Sequence, residues 1–146
     1  LKNQIGLFAN PEMVLVDKEY LHTVIPREIR SGLAEIIKYG LTYDASLYKN
    51  IKDNPQLDIT ELIHRSIEIK NEVVLEDPKE KHLRKILNFG HTIGHAIESY
   101  FLESEDKEKL THGEAIAVGM VAECYLSQEL FDFPQQELEN IINQNQ

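Results

Sequence analysis

The sequence predicts a mainly α fold, with a helical domain over residues 26–146 and a short β or loop segment over residues 1–25. Three observations carry that reading. The apolar spacing switches to a helical period at Pro26, helix-start signatures recur downstream, and 146 residues with 42% hydrophobic content suffice for one buried core. Residues 1–8 run into Asn10-Pro11, a turn signal, and Met13–Asp17 is an apolar run of strand length. Beyond Pro26, a residue suited to a helix's first turn, Ile29, Leu33, Ile36, Ile37 and Leu41 recur at helical spacing. Asp58-Ile59-Thr60-Glu61 reads as a capping box. It opens a helix carrying Leu62, Ile63, Ile67, Ile69 and Val73 that should stop near Pro78. Residues 79–85 form a charged connector. Apolar helical runs follow over about 86–101 and 112–130, the second opened by a capping box of Thr111 and Glu114, and residues 135–143 are expected to form a last short helix.

Composition narrows the classes of function. Lys and Arg number 15 against 25 Asp and Glu, a formal net charge of −10. Binding to nucleic acid or an anionic membrane leaves a basic footprint, so neither is expected as a partner. The longest apolar stretch, Ala115–Ala122, is far shorter than a membrane span, and no signal-peptide layout opens the chain, so a cytoplasmic protein is expected. A single cysteine, Cys124, excludes an internal disulfide framework and a multi-cysteine metal site. The chain opens on Leu1 rather than Met and closes on Gln144-Asn145-Gln146 without a stop signal, so a piece of a longer protein is expected.

The histidines carry the strongest chemical signal. His91 and His95 stand four apart, so on a helix they share one face, and Gly90 and Gly94 flank them in the same register. A glycine inside a helix costs about 1 kcal/mol relative to alanine. The pair of glycines therefore points to a close approach by something large, or to helix–helix packing through small residues. His112 stands at the first position of the next helix, where the positive end of the dipole disfavours a protonated imidazole. A neutral imidazole suits a divalent metal. Catalytic zinc sites use three protein ligands, commonly two His and a carboxylate, and Glu35 in the apolar stretch Leu33–Ile37 is the candidate third. An ion pair between Glu35 and Lys38 is the alternative for that carboxylate. Lys70, inside an otherwise apolar-faced helix, and Arg84 and Lys85, just before Asn88, point to an anionic substrate or to ordinary solvated charge.

The blocks Asn88-Phe89-Gly90-His91-Thr92-Ile93-Gly94-His95-Ala96 and His112-Gly113-Glu114-Ala115 strongly resemble 3-dehydroquinate synthase, of the sugar-phosphate cyclase group. Pro26-Arg27-Glu28, Ser31-Gly32-Leu33-Ala34-Glu35-Ile36-Ile37-Lys38 and Lys2-Asn3-Gln4-Ile5-Gly6 match the same family in order. The resemblance implies conversion of 3-deoxy-D-arabino-heptulosonate 7-phosphate to 3-dehydroquinate and phosphate. The route is transient oxidation by NAD, phosphate elimination, re-reduction and intramolecular aldol closure, in the shikimate pathway. It implies NAD and a divalent metal, zinc or another such as cobalt, with Glu35, His91 and His112 as ligands. By the same token His95 faces the substrate near its phosphate, Lys38, Lys70, Arg84 and Asn88 contact substrate, Glu80 lies near the site, and Lys2, Asn3 and Thr23 face the cofactor or interdomain cleft. Residues 1–25 then end an N-terminal nucleotide-binding α/β domain, residues 26–146 are a truncated metal and substrate domain, and the intact protein is a homodimer. The isolated piece is expected to show no turnover.

Two rival enzymes share parts of this pattern. Another cyclase, such as 2-deoxy-scyllo-inosose synthase, acts on a substrate without a carboxylate, for which Lys70 and Arg84 would have nothing to neutralise. A glycerol-dehydrogenase-like enzyme would form net NADH. A helical interaction domain with structural zinc would need a fourth protein ligand.

Overall fold

In the computed structural model, which describes residues 11–54, 56 and 58–144, Pro26 stands at the first position of a helix, where its missing N–H costs nothing. This helix, α1 (Pro26–Thr42), is the axis of the fold. It is followed by α2 (Ala45–Asp53), α3 (Ile59–Glu76), α4 (His91–Glu103), α5 (His112–Phe131) and α6 (Gln135–Gln144). Two 3-10 helices, Lys18–Thr23 and Leu83–Asn88, complete the regular structure of the described residues.

Among the described helices, α2, α3 and α5 start on a side-chain cap. The Asp44 carboxylate accepts the Ser46 and Leu47 N–H groups to open α2, and Asp58 accepts from Thr60 to open α3, which stops at Asp77, just before Pro78. The expected capping box opens α5, with Thr111 Oγ1 accepting from Glu114 N and the Glu114 carboxylate accepting from Thr111 N. α1 buries two faces. Ile36 and Tyr39 join Leu47, Leu62, Ile69 and Val73 from α2 and α3, while Ile37 packs on Ile116 and Met120 of α5. Cys124 of α5, with Leu138 and Ile141 of α6, closes a third cluster.

Two expectations are corrected. Met13–Asp17 is not a strand. Met13, Val14, Leu15 and Val16 are exposed, and no described segment offers the ladder a strand needs. Asp17 instead accepts the Glu19 N–H and turns the chain into a 3-10 helix. The apolar run over 86–101 is also not one helix. It breaks at Phe89 and Gly90, where Gly90 takes φ +76°, so Gly90 precedes α4 rather than lying inside it.

That break belongs to a close seam between α4 and α5. A Cβ on Gly90 would come 2.5 Å from Met120 Cγ, and one on Gly119 would come 2.0 Å from the Gly90 carbonyl oxygen. One on Gly94 would come 2.8 Å from Ile116 Cδ1. The large neighbour anticipated beside Gly90 and Gly94 is α5 itself, packed through small residues.

Candidate metal centre

Three helices converge where the histidines lie. α1 brings Glu35 from its third turn, α4 begins with His91 and α5 begins with His112. Glu35 Oε1 lies 3.5 Å from His91 Nε2 and 3.8 Å from His112 Nε2. Donors around a tetrahedral ion at bond lengths near 2.0–2.1 Å stand about 3.3 Å apart, so these separations match a shared cation after a small contraction. Each imidazole makes a further contact through Nδ1. His91 Nδ1 lies 3.1 Å from the Phe89 carbonyl oxygen, and His112 Nδ1 lies 3.3 Å from Glu98 Oε2.

The Glu35 carboxylate supplies the test of fit. Its Oε2 accepts from Lys38 Nζ at 2.7 Å, while Oε1 is buried without any hydrogen-bond partner. A buried acceptor left unpaired costs about 1–3 kcal/mol, more for a charged group. Here the orphaned oxygen points at two imidazole nitrogens, and a cation among the three would satisfy it. The residues present therefore fit a divalent ion. His95 comes close as well. The ligand atoms of His91, His95 and His112 lie within 4.8 Å of one another, although His95 is exposed. Two donor sets share His91 and His112 and differ in Glu35 or His95.

The electrostatics favour neutral imidazole at His91. Burial holds it below the usual imidazole range, against the Phe89 carbonyl, and the Lys38 charge adds to the depression. Lys38 is itself buried, at 2% exposure. Its pairing with Glu35 is thus an interior interaction rather than a surface one. Burial pushes the Lys38 ammonium toward losing its proton, against the pull of Glu35.

A groove of about 290 Å³ takes Glu35 and Lys70 into one lining with Ile29, Leu33, Ile63 and Ile67, and Lys70 is exposed there. On the loop after α3, Asn88 Nδ2 donates to Glu80 Oε1 at 2.6 Å, and Arg84 donates to the Pro78 carbonyl while its Nε lies 3.8 Å from Glu80 Oε2. Thr23 is exposed and its hydroxyl donates to the Tyr20 carbonyl. Lys2 and Asn3 lie outside the described residues.

Sequence reasoning passed over three residues. Asp77 is buried and accepts the N–H groups of Lys81, His82 and Arg84, fixing the loop that carries Glu80, Arg84 and Asn88. Arg27 binds both oxygens of Glu114 at 2.7 Å, tying the start of α1 to the start of α5 and holding the Glu114 carboxyl down to about 2. Glu98, which meets His112, follows His91 by seven and His95 by three, a helical-face spacing that could have marked it.

No described helix is long and apolar enough to cross a membrane. A family model described as 3-dehydroquinate synthase C-terminal matches residues 32–146. The chain is similar to the 3-dehydroquinate synthase of Methylacidiphilum infernorum, at 47% identity over 141 residues, covering 96% of this chain and 38% of that protein. It is also similar to the 3-dehydroquinate synthase of Thermoanaerobacter pseudethanolicus, at 46% over 149 residues, covering 97% and 41%. The 3-dehydroquinate synthase of a Synechococcus strain is 46% identical over 130 residues, covering 83% and 34%. The chain spans about two fifths of the length of the first two.

Proposed function

Because the chain belongs to the 3-dehydroquinate synthase C-terminal family, we propose that it forms the metal and substrate half of an enzyme making 3-dehydroquinate and phosphate from 3-deoxy-D-arabino-heptulosonate 7-phosphate. In this reading residues 26–146 are that half and residues 1–25 lead in from a nucleotide-binding domain. The intact protein is a cytoplasmic homodimer that uses NAD. Of the residues assigned to NAD only Thr23 is described, and an exposed hydroxyl engaged with Tyr20 does not make a dinucleotide cradle.

One observation carries the metal assignment: Glu35 Oε1, buried and unpaired, faces Nε2 of both His91 and His112. Glu35, His91 and His112 would hold the ion. When bound, a divalent metal stabilises negative charge developing on substrate oxygens. The chain's own residues do the rest. Lys38 fixes Oε2 of Glu35, which leaves Oε1 turned to the ion, and its buried ammonium adds positive charge beside an anionic substrate. His95, exposed beside the other two imidazoles, would hold the substrate phosphate and exchange a proton at its ring nitrogen. Lys70 and Arg84 suit the substrate carboxylate, Arg84 through a planar fork and Lys70 as a point charge. Asn88, whose amide donates to Glu80, would contact the same substrate.

The test uses the intact protein, supplied with the heptulosonate phosphate, NAD and zinc. Stoichiometric phosphate and 3-dehydroquinate, without net NADH, are expected. Net NADH would overturn the reading in favour of a dehydrogenase. Turnover of a sugar phosphate lacking the carboxylate, in preference to the acid, would overturn it in favour of another cyclase.

A further inference from the structure

We infer that Glu98 is a positioning residue of the metal centre, fixing the His112 imidazole in the tautomer whose Nε2 lone pair faces Glu35. The inference rests on the metal reading above. An ionised carboxylate only accepts hydrogen bonds. The 3.3 Å contact between Glu98 Oε2 and His112 Nδ1 therefore places the ring proton on Nδ1 and leaves Nε2 bare, 3.8 Å from Glu35 Oε1. His112 has need of such a partner. It is the first residue of α5, and its side chain is 41% exposed, so packing alone does not fix the ring.

His91 arrives at the same state by another route. Its Nδ1 donates to the Phe89 carbonyl, an acceptor that can hold only the Nδ1–H form, and its Nε2 points at the same carboxylate oxygen. Two imidazoles from different helices are thus preset identically, one by the main chain and one by a side chain. Metal-binding histidines characteristically carry such a partner on the second ring nitrogen. A purely structural tie between α4 and α5 explains the contact less well, because the glycine seam already joins these helices closely.

The test is Glu98→Ala and Glu98→Gln in the intact protein, prepared metal-free. Zinc affinity is read by chelator competition, and His112 tautomer by long-range 1H–15N NMR before metal is added. Glu98→Ala is expected to lower zinc affinity about 10–100-fold, with Glu98→Gln between it and the parent because an amide oxygen still accepts. His112 in the unsubstituted metal-free protein is expected in the Nδ1–H form. Affinity unchanged in Glu98→Ala while His91→Ala loses zinc overturns the role of Glu98 alone. Affinity unchanged in Glu98→Ala, His91→Ala and Glu35→Ala together overturns the metal centre itself. If Glu98→Ala does not fold, the NMR decides, since an Nε2–H form of His112 in the unsubstituted protein overturns the inference.

Discussion

Gly119→Ala tests whether the α4–α5 seam holds the centre together. A Cβ there would lie 2.0 Å from the Gly90 carbonyl oxygen and 2.8 Å from Gly94 N, both backbone atoms. Ordinary contact requires the helices to part by about 1 Å or more. Overpacking against a side chain costs about 1–3 kcal/mol, and a rigid main-chain neighbour puts this site at or above the top of that range. Alanine returns about 1 kcal/mol of helix propensity, which leaves a net loss of about 2 kcal/mol or more. Gly32→Ala is the control, because its Cβ would meet nothing within 4 Å and only the propensity gain of about 1 kcal/mol remains. The two substitutions are chemically identical and should have opposite signs in denaturation of the intact protein. Gly119→Ala should also weaken zinc binding, since a displaced α4 carries His91 away from Glu35 and ligand distances tolerate only about 0.2 Å. A Gly119→Ala protein as stable as its parent, with the parent's zinc affinity, would refute the seam argument.

Other outcomes follow from the same geometry. Glu35→Ala should abolish tight zinc binding while His95→Ala retains it and loses turnover, as read by chelator competition and phosphate release; the reverse pattern would make His95 the third ligand. Arg27→Ala removes both bonds to Glu114 and should lower the midpoint of chemical denaturation, with the capping box remaining to limit the loss. Asp44 and Glu114 are both held down to about 2, Asp44 chiefly by the Ser46 hydroxyl and Glu114 chiefly by Arg27. Their folded values lie below the unfolded 3.8 and 4.5, so their stabilisation is complete above about pH 5 and lost as pH falls toward 2. Denaturation midpoints across that window should flatten in an Asp44→Asn, Glu114→Gln double variant. His91, also depressed, stabilises the fold above its unfolded value near 6.5 and loses that contribution as pH falls below it. Zinc affinity should weaken only at lower pH still, where His91 takes up a proton in the folded protein.

The sequence made the long helices legible because their signals are local. Pro26, Asp58 and Thr111 mark starts, and the apolar period does the rest. α2 escaped notice because Leu47 is its only buried residue, so the clear marker was the cap Asp44. The break at Gly90 was invisible because the apolar period runs straight through it, and the cause is non-local, namely the α5 backbone against Gly90. The three clustered histidines could be marked by type and spacing and Glu35 by its apolar setting, but only the family resemblance set His91 and His112 apart from His95. That Lys38 is interior could not be read from spacing, because it depends on α1 being covered on two faces.

The two imidazoles proposed as ligands differ in what secures them. The one at position 91 leans on a main-chain oxygen, which persists whatever residue occupies position 89, whereas the one at 112 leans on a replaceable side chain. Sequence drift can therefore retune only half of the centre. Exchanging residue 98 for a weaker or neutral acceptor would soften the donor strength of one nitrogen and leave its counterpart untouched, a graded adjustment of which ion is preferred and how firmly it is kept.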